Sequence, residues 1–325
     1  MIRYVVRRLL ESVPLLIVVS ALVFALLQAS PGSPLAQLER DPTITQADLE
    51  RIARERGLLD PAPVQYARWV AGALRGDFGR SMQTGRAVTT EILERLPNTA
   101  VLVLTAFVFT LLVAIPVGVL SAVRQYSPFD HTVTTLAFMG QSIPIFWLGL
   151  MLILVFYFAL SNPFTGGPLF PPGGMATTGM EHSWTNRAWH LVLPVVMLSS
   201  TWVAWYTRFL RASMLEVLNQ DYVRTARAKG LAERRVVFRH ALRNAALPLV
   251  TLIALDLPMV FSGALFTETI FSWPGMGRLF FQSALRRDYP VLMAIVMFTS
   301  VLIVVANLLA DVAYAYIDPR IRYDW

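Results

Sequence analysis

Six stretches of this chain are apolar over roughly the twenty residues that a membrane-crossing helix needs, and nothing else in the sequence constrains its fold as strongly. They run from about Leu9–Ala29, Thr99–Ala122, Thr132–Leu160, Leu191–Leu210, Leu247–Ile270 and Pro290–Tyr314. In lipid a backbone must satisfy its own hydrogen bonds, which a helix does within one segment. The expectation is an all-α polytopic membrane protein with six transmembrane helices. Composition agrees: 55% of the 325 residues are hydrophobic and 15% charged, where a soluble domain carries about 25% charged residues. The third run is long enough to tilt or to continue past the membrane. It contains Pro144, and proline removes a helical donor and favours a kink.

Short-loop charge sets the orientation. Arg3, Arg7 and Arg8 precede the first run, Arg124 lies between the second and third, a basic stretch joins the fourth to the fifth, and Arg320 and Arg322 follow the sixth. Six crossings put all four places on one side. The positive-inside rule makes that side the cytoplasm, with both termini there. The net charge of +7 is therefore read as topology, not as a nucleic-acid footprint. The arginines of the Ser30–Asn98 loop do not oppose this, because long loops translocate largely regardless of charge. Residues Ser12–Ser30 are uncharged for longer than a signal-peptide h-region and end without a good cleavage site, so the first run reads as an uncleaved anchor.

The long loop has its own signals. Thr45 to Asp48 opens a helix that runs to Arg56, with Gly57 as its stop. Val64–Leu74 is a second amphipathic piece, Gly76–Gly79 is a turn, and Val88–Leu96 is a short helix leading into the second run. Tyr66, Trp69, Leu74 and Phe78 give the loop apolar surface to bury, so it reads as a helical cap on the outer face rather than a disordered linker. The Asn162–Arg187 loop is rich in glycine and proline, and Trp184 and Trp189 suit the interfacial belt.

The stretch Asp221–Pro248 stands apart. It holds Arg224, Arg227, Lys229, Arg234, Arg235, Arg239 and Arg243 against Asp221 and Glu233, and Lys229 is the only lysine in the chain. Tyr222–Lys229 reads as a short helix, with Gly230 as the C′ residue at positive φ and a second helix over Ala232–Ala245. Small residues at 226, 228 and 230 let a helix enter a cleft, where the arginines can pair with carboxylates. The other reading is a solvated basic loop. The loop's length and its helix–glycine–helix pattern favour the first.

Here TARAKGL followed by HALRNAALPLVT resembles the EAA-type coupling loop of ABC importer permeases, in particular the dipeptide/oligopeptide/nickel permease family. The generic motif has Glu where this chain has Arg224, and Thr225 precedes Ala226. The longer spacing from Gly230 to Pro248 matches the peptide branch. Gly57–Ser81, ERLPNT (Glu94–Thr99), ETIFSWPGMGRL (Glu268–Leu279), RDYP (Arg287–Pro290) and DPRIR (Asp318–Arg322) resemble further signatures in order.

The resemblance implies a type I ABC importer permease fold with a cytoplasmic coupling helix, in a bacterial inner membrane. It implies a second homologous permease, two ABC ATPase subunits and an extracytoplasmic substrate-binding protein as partners. ATP and Mg would sit on the ATPase chains, with no cofactor, metal or catalytic residue in this one. The chain has no G-x-x-x-x-G-K-[ST] stretch with which to cradle ATP. The expected ATPase contact is Tyr222, Arg224, Ala226, Arg227, Ala228, Lys229, Gly230 and Leu231. The implied domains are an anchor (1–29), an extracytoplasmic cap (30–96), a permease core of five helices with its coupling loop at 211–247 (97–316) and a tail (317–325).

Polar residues within the runs are the pathway candidates, because ionisable groups at membrane depth usually face a cavity or a partner. Asp256 either lines the pathway, where it would suit a peptide ammonium, or pairs structurally near Pro258. Gln141 and Ser142 precede the Pro144 kink. Glu268 either lines the entrance or holds the Pro274–Gly277 turn. The four histidines are scattered without metal-ligand spacing, and the absence of cysteine excludes disulfides and thiolate chemistry. Alternatives to peptide import are the same machinery carrying nickel complexes, glutathione or oligosaccharides, or an ion-coupled secondary transporter, for which no internal repeat is evident.

Overall fold

The structure, a computed structural model, describes residues 2–317 apart from 34, 36–38 and 40–42. The Asp318–Arg322 motif and the tail arginines lie outside the described residues. The fold is helical throughout, and two isolated bridges, Arg80–Ala87 and Ser161–Pro168, are the only β pairing among the described residues. The helices are α1 (Ile2–Ala29), α2 (Gln46–Glu55), α3 (Ala62–Ala73), α4 (Val88–Val123), α5 (Pro128–Ser142), α6 (Ile145–Ile153), α7 (Trp184–Leu218), α8 (Asp221–Ala228), α9 (Glu233–Arg235), α10 (Leu242–Ile270), α11 (Met276–Arg286) and α12 (Tyr289–Ile317). A π-helical turn, Leu154–Ala159, extends α6, and another, Val236–Ala241, joins α9 to α10.

Among the described residues four helices are long and apolar enough to cross a membrane: α1 from Val5, α4, α7 and α12 as far as Leu309. The third apolar run is not one straight span. It breaks at Ser142–Pro144 into α5 and α6, bent by 105°, and this pair makes a fifth crossing if counted as one. Pro144 stands just ahead of α6 as its N-cap, where its missing N–H leaves no hydrogen bond unmade. The fifth run forms the continuous 29-residue α10.

Two compact units divide the described chain. One comprises residues 2–99 and 274–309, the other 100–273 and 310–317. The 30–96 segment thus shares its unit with α1 and with the stretch that contains α11.

In the first unit, α2 starts as its capping box requires. Asp48 N donates to Thr45 Oγ1 at 3.2 Å and Thr45 N donates to Asp48 Oδ2 at 3.3 Å. It ends at Gly57, whose φ of +65° no β-carbon residue adopts cheaply. Leu49 and Ala53 bury against Leu35, Ile44, Ile52 and Leu58. Tyr66 on α3 meets Ser20 of α1 at 2.8 Å, and Trp69, Phe78 and Phe298 form an aromatic series. Leu74 departs from expectation and is 84% exposed. It is the C-cap of α3, one position beyond the packed face. The expected Val88–Leu96 helix and the second span are a single helix, α4, which runs through Pro97 without interruption. Asp288 is buried and gathers the 81–83 turn, accepting from Ser81 Oγ at 2.5 Å and Met82 N at 3.0 Å. Asn98 Nδ2 donates to Pro274 O at 2.9 Å and Met276 N to Thr99 Oγ1 at 2.8 Å. The ERLPNT segment therefore holds the backbone of the PGMG turn.

In the second unit, α7 is the hub. Tyr206, Leu210 and Met214 pack with Ala114, Val119 and Ala122 of α4 and with Ala245 and Leu249 of α10. Gly118 permits this approach: a β-carbon there would lie 3.0 Å from Thr207 O. A second cluster joins Leu102, Val103 and Ala106 to Val195, Leu198, Ala264 and Trp273.

Candidate functional site

The basic stretch folds as the helix–glycine–helix its sequence indicates. Helix α8 closes at Lys229, whose N–H donates to Thr225 O at 3.0 Å, and Gly230 follows at φ +73° with its N–H on Arg227 O at 2.9 Å. The loop is shorter than the 211–247 expected, because α7 continues to Leu218 and the next helix begins at Glu233. Residues 219–232, α8 included, lie between α7 and the short α9, which continues through the π-helical turn into α10. The expected second helix over Ala232–Ala245 is α9, the π-helical turn and the start of α10 in sequence.

Helix α8 has two faces, and they sort the expected contact residues. Val223 and Ala226 are buried with Val236, against Val217, Leu218 and Leu231. Ala226 and the half-buried Leu231 therefore serve the chain's own packing. Tyr222, Arg224, Arg227, Ala228, Lys229 and Gly230 face outward, and a β-carbon on Gly230 would meet nothing within 4 Å. Arg227 is committed within the chain. It donates to Glu233 through Nη2 at 2.8 Å and Nε at 3.2 Å, closing the turn around Gly230. These bonds hold the Glu233 carboxyl below the usual glutamate range. Arg224 lies 3.7 Å from Asp221, an exposed and weak pairing. Beside the turn is an open hollow of about 440 Å³ lined by Ala232, Arg234, Arg235, Phe238 and Arg239. These last four residues extend the outward basic surface beyond the expected set. Their signal lies in the arginine count of the stretch, while the exposed ring of Phe238 has none.

The expected pathway residues do not form one cluster. Asp256 is half-buried on α10 and accepts from the buried Tyr206 hydroxyl at 3.3 Å. Gln141 accepts from Arg208 Nη2 at 2.5 Å. Ser142 is exposed, and its hydroxyl turns back to Phe138 O at 2.9 Å. Ser142 also lines an open cavity of about 400 Å³ at the α5–α6 break, with Met139, Ile143, Pro144, Phe146 and Trp147. Glu268 is wholly buried, so it lines no open space in this conformation. It belongs to the turn at the end of α10, where Trp273 N donates to its carbonyl at 2.8 Å.

Two charged groups within these helices are absent from the expected set. Arg211 donates to Asp130 through Nε and Nη2, both at 2.6 Å, and Ser121 Oγ and Tyr126 N complete the carboxylate. Arg208 lies over the Phe138 ring at 4.7 Å. Asp130 stands 81 positions from Arg211 in sequence, so no local pattern announces the pair. His190, by contrast, is a structural histidine that contacts Gly173 O at 2.9 Å and Thr177 Oγ1 at 3.2 Å.

Residues 114–323 match the family described as binding-protein-dependent transport system inner membrane component, and residues 1–103 match its N-terminal companion. The chain is 46% identical over 324 residues to the oligopeptide transport system permease protein AppB of Bacillus subtilis, covering 99% of this chain and all of the relative. It is 39% identical over 340 residues to the dipeptide transport system permease protein DppB of Escherichia coli K12, covering 99% of both chains. A chain from the inward-facing MetNI methionine ABC transporter shares the fold, with a TM-score of 0.55 at 16% identity over 70% of this chain and 96% of that one.

Proposed function

The chain belongs to the binding-protein-dependent transport system inner membrane component family, and from that premise we propose that it is the permease subunit of an ATP-driven importer of short peptides. Its relatives AppB and DppB are oligopeptide and dipeptide permeases. In this reading it forms half of a translocation pathway with a homologous permease. Two ATPase subunits dock below and a substrate-binding protein delivers from above. Hydrolysis occurs on the ATPase chains, where ATP and Mg are bound.

The observation that carries the reading is the outward face of α8 with its glycine turn. Tyr222, Arg224, Ala228, Lys229 and Gly230 project from a short helix set between two long ones. Such an element transmits a push as a rigid unit, because Val223 and Ala226 lock it to the end of α7 at Val217 and Leu218 and to Val236 of the π-helical turn that leads into α10. Closure of the ATPases on ATP would then bias the permease pair between two arrangements. The 1–29, 30–96, 97–316 and 317–325 division stands in this reading as anchor, outer cap, core and tail. Asp256 stands as a pathway group that Tyr206 orients.

The test is uptake of labelled dipeptide into proteoliposomes. The complete complex with ATP inside is expected to accumulate peptide, and this chain alone is expected to accumulate none under any ion gradient. Uptake by the chain alone would establish a secondary transporter instead.

A further inference from the structure

Arg208 and Arg211 lie one turn apart on α7, about 4.5 Å along its axis, yet their partners on α5, Gln141 and Asp130, lie eleven residues or about 16 Å apart. The two side chains therefore extend in opposite directions. Arg211 reaches back to the start of α5, the end that the positive-inside count assigns to the cytoplasm. Arg208 reaches the other way, to the break between α5 and α6.

These two arginines differ in chemistry as well as direction. Arg211 is a finished structural pair, its carboxylate fully occupied by the guanidinium, Ser121 and Tyr126. Arg208 has no carboxylate partner among the described residues. It rests on the neutral oxygen of Gln141 and the face of Phe138, and its Nε is buried without a partner. Those contacts orient a guanidinium without neutralising it.

Depth gives the difference its weight. Gln141 lies nine residues inside the third apolar run, about 14 Å, whereas Arg208 lies two residues inside the cytoplasmic end of the fourth, about 3 Å. Its guanidinium therefore reaches inward, from near the interface toward the middle of a hydrocarbon core about 30 Å thick. A long arginine at that depth ordinarily snorkels toward the nearer interface, and this one turns away from it. An intramembrane charge of this kind marks a cavity or a partner, and broken helices at mid-membrane are where carriers bind substrate. Nor is Arg208 needed to cap α5. The carbonyls of Phe138 and Met139 are already taken by Ser142 Oγ at 2.9 Å and Ile143 N at 3.1 Å.

We propose that Arg208, oriented by Gln141 and Phe138 at the α5–α6 break, receives the α-carboxylate of a peptide in transit. A planar guanidinium matches a carboxylate in bidentate geometry, and the two supports leave it the charge with which to do so. The inference rests on the peptide-importer reading and adds a recognition residue to it.

The experiment uses the complete importer in proteoliposomes, with binding protein loaded to saturation with tri-alanine or with tri-alanine C-terminal amide. The wild type is expected to import the acid about tenfold faster than the amide or more. Arg208→Gln is expected to bring the acid down to the amide's rate while leaving the amide within about twofold, and Arg208→Lys to keep part of the preference. Equal losses for both peptides, or no loss for the acid, would overturn the proposal. If Arg208→Gln fails to assemble, Gln141→Leu serves in its place. It is expected to lower the acid-to-amide ratio severalfold, and an unchanged ratio counts against the proposal. Lack of ATP-driven uptake of either peptide by the wild-type complex is a separate failure, of the importer reading itself.

Discussion

Gly230 offers the sharpest separation of backbone from docking. Its φ of +73° costs a non-glycine residue roughly 1–2 kcal/mol. That is small beside the roughly 5–15 kcal/mol that holds a domain together, so any substitution should leave the chain inserted and folded. A β-carbon there meets no atom within 4 Å, so a side chain has room to begin. In the proposed docking, what a large side chain at 230 meets is the cleft of the ATPase. Asparagine tolerates the left-handed region and should couple nearly as glycine does. Alanine carries only the backbone cost, about 5- to 30-fold in the population of the correct turn. Tryptophan carries the same cost plus its bulk, and should abolish transport. The assay is peptide uptake together with ATP hydrolysis stimulated by loaded binding protein, in proteoliposomes of matched permease content. The expected order is Gly, then Asn, then Ala, with Trp at background. If Gly230→Trp couples normally, the turn does not enter a cleft. If Gly230→Ala falls as far as Trp, the glycine is needed for its own fold alone.

Removing one member of the Asp130–Arg211 pair should cost roughly 3–5 kcal/mol, because it strands a buried charge. Thermal unfolding of Asp130→Asn in detergent should show it, and Arg211→Lys should not restore stability because the bidentate geometry is lost. Glu233 has its carboxyl lowered by Arg227. Its contribution is therefore present above the ordinary glutamate pKa and lost as pH falls through the lowered value. Both partners are exposed, so the effect should be within about 1 kcal/mol. A fluorophore on Lys229→Cys should report a pH-dependent change in the turn that Glu233→Gln removes. Asp256→Asn should change uptake or peptide preference more than the amount of folded protein, and a fall in folded protein alone would make Asp256 a structural partner of Tyr206.

Features set by neighbouring residues are readable from the chain. The Thr45–Asp48 capping box and the Gly57 stop lie within one turn of what they control, and so does the Gly230 C′ position. Helix ends in the membrane are harder. The fourth apolar run stops at Leu210, before its second arginine, Arg211, yet α7 continues to Leu218 because Asp130 and the packing of Met214 satisfy its polar and apolar sides. Likewise Pro97 looks like a boundary between two helices, and α4 passes through it. Pro144 marks the break in the third run, but nothing local tells a kink from the 105° bend observed. Long-range polar partners leave no local trace at all. Arg208 lies inside a run that reads as apolar, and Gln141 draws attention by its place before a proline, not by the guanidinium 67 positions away that reaches it.

In the proposed importer, the α8–Gly230 turn is where a separate ATPase grips this chain. The chain has no cysteine, so Lys229→Cys places a unique thiol at the exposed tip of the turn. Leu74→Cys, exposed at the end of α3, is the control. A short bifunctional cross-linker applied to the assembled complex should join the Lys229→Cys variant to an ATPase subunit, more strongly with ATP bound, and should never join the Leu74→Cys variant to one. Cross-linking of the Leu74→Cys thiol to the ATPase, or none from the Lys229→Cys thiol in a complex that still transports, would show that the ATPase does not dock at this turn.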